Sequence, residues 1–120
     1  MIYCASSLSL ASLELFVHLS IEAHDREFVW FEALVPKGVR VDRFGTLPDR
    51  WDVVPVRETS QRAGSRWLLS MHSAVLQVPS AITPGEFNFL LNPRHPEFGE
   101  IAISEPAPYV FDARIWKSAR

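Results

Sequence analysis

The first twenty residues, MIYCASSLSLASLELFVHLS, hold a single formally charged side chain, Glu14. An apolar run of this kind has to be covered by other parts of a fold. A carboxylate inside it costs several kcal/mol unless it is paired, protonated or put to use. The run is not a secretion signal, because the first Lys or Arg is Arg26, beyond the apolar segment, and no small-residue cleavage site precedes a polar region. Leu8 to Leu19 is too short to span a bilayer and is interrupted by Glu14 and His18. The segment therefore belongs to the fold itself.

At 120 residues the expectation is one domain, residues 1–120, with one core. Hydrophobic residues make up 48% and charged residues 22%, which is globular usage and excludes disorder and a membrane protein. Twelve Lys and Arg against 14 Asp and Glu leave no basic footprint, so no nucleic-acid partner is expected. The lone Cys4 cannot form an internal disulfide, which fits a reducing compartment and a cytoplasmic location, and it reads as a small buried side chain.

MIYCA favours a strand at 2–5, and the following Ser pair suits a helix N-cap, so a helix is expected at about 8–19. Leu10, Leu13 and Val17 form one stripe while Leu8, Leu15, Phe16 and Leu19 cover much of the rest, which predicts burial on several sides. REFVWFEALVP alternates over two apolar faces and reads as a central strand ended by Pro36 and Gly38, with VRVDRF a shorter strand. A loop runs through GTLPDRWDVVP to about Val56. Val56, Thr59, Ala63 and Trp67 then have helical spacing up to Leu69, against which Gly64 counts. SAVLQVPS, EFNFLLN, EIAISE and YVFD read as strands separated by Pro-bearing turns. The tail ARIWKSAR reads as a solvated basic end. The sketch is an α+β or mixed α/β domain with five or six strands and two helices.

Three features carry candidate chemistry. Glu14 has His18 four residues on, over the same helical face, and the two form either a wet stripe or a functional pair. Ser73 begins the more polar face of its strand by alternation, and His72, as its neighbour, points the other way and is badly placed to activate it. No Gly-x-Ser-x-Gly elbow and no phosphate-cradling glycine loop is present. Asn88 and Asn92, with Pro93, His95 and Pro96, make a polar turn suited to bracing a loop or to meeting an amide-bearing ligand, bracing being the default. His18, His24, His72 and His95 have no paired ligand spacing, so no metal site is expected.

The order IYCASSLSLASLELFVHL, then a strand, then LPDRW, then HSAVLQVPSAITPGEFNFLLNPRHPEF closely resembles the RES-domain family, named for Arg, Glu and Ser. The resemblance covers essentially the whole chain. It implies a fold similar to ADP-ribosyltransferases, with a split central sheet and flanking helices. It also implies a toxin of a type II toxin-antitoxin pair that breaks the nicotinamide-ribose bond of NAD by hydrolysis or phosphorolysis, or transfers the ADP-ribose to a protein. NAD is then substrate rather than cofactor, and the partner is a helix-turn-helix antitoxin of the Xre type. By the same resemblance Glu14 and Ser73 match the family's Glu and Ser as catalytic residues. Tyr3 matches a Tyr eleven positions before the Glu, and Tyr3 and Asn88 are the expected NAD contacts. Glu14 would face the positive charge of an oxocarbenium-like transition state.

In the family the naming Arg, and a second Arg in a Gly-Arg-Trp-like segment, lie upstream of the Tyr, and none of Arg26, Arg40 or Arg43 occupies a matching place. The expectation is therefore an N-terminally truncated fold. Met1 is then either an internal methionine of a longer product or the start of a remnant that only binds an antitoxin or its own copies.

Overall fold

The computed structural model describes residues 1–19, 26–43 and 58–115. Ile2–Ala5 forms strand β1, and Ser7 then caps helix α1, Leu8–Phe16. The cap follows from the sequence: Ser7 has extended backbone, and its Oγ accepts from the Leu10 amide at 3.1 Å, satisfying a donor of the first turn. Beyond Phe16 the amides of His18 and Leu19 bond three residues back, a tighter turn that ends the helix short of the expected 19.

Segment 28–34 is divided between strands β2, Phe28–Trp30, and β3, Ala33–Leu34. Val41–Arg43 is β4, Glu58–Ser70 is helix α2, Val75–Pro79 is β5 and Phe87–Leu91 is β6. A 3-10 turn at Pro96–Glu100 leads to β7, Ala102–Ile103, and β8, Ala107–Tyr109. The fold is mixed α+β, with two helices and a mixed four-stranded sheet ordered β1-β6-β5-β4, plus the two-stranded pairs β2-β8 and β3-β7. The expected central strand is thus corrected. Phe28–Trp30 and Ala33–Leu34 pair in separate ribbons because the chain leaves the ladder at Phe31 and Glu32, where the Glu32 amide bonds the Ser104 side chain instead. The expected loop at 45–55 and most of the basic tail lie outside the described residues.

β5 and β6 form the centre, with Val75 opposite Leu91 and Leu76 opposite Leu90. One face packs Val75 and Leu91 with Val39, Ala74 and Ile101, and the other packs Leu76 and Leu90 under Trp67 of α2. Both faces of β5 are covered, which is why its sequence is nearly continuously apolar. Gly64 does not interrupt α2, and it lies against Leu90. Helix α2 ends at Ser70, and the next residue, Met71, has a φ of 56°, the left-handed conformation usually taken by glycine. Asn92 holds that end: its Nδ2 donates to the Leu68 carbonyl at 3.2 Å and to the Met71 sulfur at 3.4 Å.

The opening segment behaves differently from expectation. Of α1 only Leu10 is buried, while Leu8, Leu13, Leu15 and Val17 are exposed. Neither apolar cluster on the sheet faces includes an α1 residue, so the helix buries a narrow stripe instead of several sides.

Candidate functional site

β1 and β5 both pair antiparallel with β6, and β4 runs parallel to β5, so β1, β4 and β5 point the same way. Their C-terminal end receives Glu14. Ser80 follows β5 directly, and its amide bonds the Glu86 carbonyl at 2.8 Å, continuing the β5-β6 ladder by one residue. Its Oγ accepts from the amides of Ile82 and Thr83, each at 3.1 Å. A hydroxyl has two acceptor positions and one proton, so with both acceptors taken the proton is aimed outward. It points to Glu14, whose Oε1 accepts from Ser80 Oγ at 3.2 Å. Ser80 is 3% exposed and Glu14 partly buried, so a fixed hydroxyl orients a carboxylate that solvent still reaches.

The sheet register brings Asn88 toward this region and leaves Tyr3 further back, level with Leu76. Tyr3 pairs with Leu90, while Asn88 pairs with Ala5 on one side and with Val78 on the other. Since alternate residues share a face, Tyr3, Asn88 and Ser80 lie on the same side, with Asn88 between the other two. Tyr3 stands 71% exposed near the open edge of β1, and the Asn88 amide donates to the Cys4 carbonyl at 3.4 Å. Cys4 points to the opposite face among Val75, Leu91 and their neighbours, where burial pushes its thiol up. His18 is exposed, and Glu14 pairs with Ser80.

Ser73 is elsewhere. It lies just before β5, at the opposite end of that strand from Ser80. The structure does not bring Ser73 and Glu14 together. Ser73 has no exposed surface; its Oγ accepts from Trp67 Nε1 and donates to the Val75 carbonyl, both at 2.9 Å. The physical reason is a bend at Ala74, which breaks the strand alternation before β5 begins and turns Ser73 toward α2. His72 meets Asp42 at 3.3 Å, and Arg40 meets the same carboxylate at 2.9 Å. Partial desolvation pushes the Asp42 carboxyl up. The Ser73 hydroxyl within reach, hydrogen bonds from Arg40 and His72, and the Arg40 charge outweigh it and hold the group below the usual carboxylate range.

Ser80 was the residue missed by strand alternation. The available signal was VPSAITPGE itself: a serine after a strand-ending proline, ahead of a tight turn closed by Gly85, is placed to cap the turn amides. Among the described residues no group of three or more His, Cys, Asp or Glu side chains is placed to hold a metal, and no helix is long and apolar enough to cross a membrane.

Glu14 is thus a partly exposed carboxylate held by a turn serine at the end of the sheet. Comparison with known proteins gives the chain a family: the RES domain matches residues 1–112, and the chain belongs to the RES-domain family. It is 37% identical over 122 residues to the Prs ADP-ribosylating toxin of Sphingobium sp., covering 98% of this chain and 76% of that protein. It is similarly 37% identical over 116 residues to Toxin Res of Yersinia enterocolitica, covering 95% of this chain and 76% of the toxin. A further Toxin Res, from Photorhabdus laumondii, is 31% identical over 121 residues, covering 99% of this chain and 78% of its own length.

Proposed function

We propose that this chain is the toxin of a toxin-antitoxin pair and consumes NAD by breaking its nicotinamide-ribose bond. The observation that carries the reading is the Ser80 to Glu14 hydrogen bond at 3.2 Å, made by a hydroxyl with no other use for its proton. Departure of nicotinamide leaves positive charge on the ribose. A carboxylate held against the ribose stabilises the transition state, in which the positive charge has moved from the nicotinamide ring onto the sugar, more than the ground state, in which the ring still carries it. Glu14 takes this role. Ser80 fixes the carboxylate so that no reorganisation is needed as charge develops, which is the condition under which electrostatic stabilisation is largest. Tyr3 offers an exposed ring for the nicotinamide or ribose, and Asn88 an amide two residues along β6 from the partner of Tyr3, Leu90. Ser73 serves the fold, anchoring Trp67. Water, phosphate or a protein side chain completes the reaction as acceptor.

A relative named as an ADP-ribosylating toxin supports the chemistry, and relatives named Toxin Res support the cellular role. The natural partner on this reading is a helix-turn-helix antitoxin of the Xre type that covers the Glu14 end. The test is NAD concentration and growth in cells expressing the chain. Expected is a fall in NAD with growth arrest, both lost in Glu14→Gln, where removal of a charge-stabilising group costs on the order of 10²–10³ in rate. Unchanged NAD with soluble protein present overturns the enzyme reading and leaves a binding module.

A further inference from the structure

The position of Glu14 depends on α1, and α1 has little burial to hold it: Leu10 is its buried residue and most of its other apolar side chains are exposed. At 100° per residue, Leu10 and Glu14 lie on nearly the same side of the helix, whereas Phe16, two residues beyond Glu14, lies roughly 200° away from it. Glu14 meets Ser80 on one side. On the other, Phe16 meets Phe111 with ring centroids 6.1 Å apart.

Phe111 is itself firmly placed. It is 5% exposed and takes two edge-on contacts from the β2-β8 ribbon, Phe28 at 5.8 Å and Tyr109 at 5.3 Å. The next residue, Asp112, accepts from the Arg114 amide at 2.9 Å and from its guanidinium at 2.9 and 2.8 Å, closing the chain into a turn just after Phe111. Phe111, held by the ribbon, therefore meets α1 on the helix face turned away from Glu14.

We propose that Phe111 is a positioning residue: by backing Phe16 it holds α1 at the distance at which the Glu14 carboxylate receives the Ser80 proton. This rests on the reading of Glu14 as the working carboxylate. The C-terminal ribbon then becomes part of the active machinery without touching substrate. Misplacement of a catalytic group by about 1 Å costs up to ~10²-fold in rate, so a loosened backing is expected to act on kcat.

The test compares purified wild type with Phe111→Leu, which keeps apolar volume and removes the ring, and with Phe111→Tyr, which restores the ring. Two quantities are read: NAD turnover, and the ¹³C resonance of the Glu14 carboxyl, with Ser80→Ala as the reference for the broken hydrogen bond. Expected for Phe111→Leu is a loss of kcat on the order of tenfold with KM within about twofold, and a Glu14 resonance moved toward its Ser80→Ala position. Phe111→Tyr returns both toward wild type. Should Phe111→Leu not fold, Phe16→Leu removes the same contact from the helix side and is expected to give the same pattern. A Glu14 resonance unmoved in folded variants overturns the positioning role whatever the activity. A resonance moved in Phe111→Leu, together with a wild type that consumes no NAD, upholds it and overturns the NAD reading instead.

Discussion

Two buried serines flank β5, and their environments differ in what accepts their protons. Ser73 and Ser80 are each nearly or fully buried, and each receives N–H donors: Trp67 Nε1 for the first, two turn amides for the second. The Ser73 proton goes to a main-chain carbonyl, with the Asp42 carboxylate also in reach, and the outcome is a braced core. The Ser80 proton goes to a partly exposed carboxylate on a thinly packed helix. The same functional group thus acts as mortar at one end and as a pointing device at the other. The difference lies in what stands opposite the proton.

The sharpest way to break this contrast is to remove each hydroxyl and read NAD turnover. Ser80→Ala is expected to lower turnover about a hundredfold by freeing Glu14, while Ser73→Ala leaves turnover per folded molecule within about twofold. A larger loss from Ser73→Ala, at equal folded fraction, reverses the assignment. Stability sharpens the same point from the other end. Ser73→Ala orphans the Trp67 indole N–H and is expected to cost about 2 kcal/mol in denaturant unfolding. Adding Trp67→Phe removes the orphan as well, so the double variant should cost less than the two single changes summed, and strict additivity would argue against the bond.

Acid titration separates the ends by a smaller effect. Asp42 has a lowered carboxyl pKa, so its contribution to stability is present above the unfolded value near ~3.9 and is lost as pH falls through the lower folded value. Melting temperature in Asp42→Asn should therefore fall less steeply than in wild type below about pH 4. An identical slope would remove Asp42 from the Ser73 end. The smallest change is a gain: a Cβ at Gly64 meets only Leu90 Cδ1, at 3.9 Å. Gly64→Ala is then expected to stabilise by about 0.5–1 kcal/mol through helix propensity, with turnover unaltered, read by thermal melting and NAD assay together.

Much of the molecule was legible before its structure. Ser7 as a cap, the strands at Ile2–Ala5 and Phe87–Leu91, and the helix through Gly64 all follow from local rules: a hydroxyl beside unpaired amides, alternation, and helical spacing. Glu14 stood out for the same kind of reason, as a lone carboxylate in apolar surroundings. Alternation failed at Ser73 because a single bend at Ala74 resets which face a residue takes, and no periodicity records a bend. It failed again at 28–34, where two short ribbons share one apolar stretch and each takes its partner from near the C-terminus.

The sequence by itself determined the family, the mixed α+β class and the carboxylate on which the proposed chemistry turns, because composition, caps and motif order are properties of neighbours along the chain. The tertiary structure alone decided that Ser80 rather than Ser73 faces Glu14, and that Phe111 stands behind the helix carrying it. Those contacts join residues 66 and 95 positions apart. They depend on strand register and on the placement of a helix against a ribbon, quantities that local spacing does not encode.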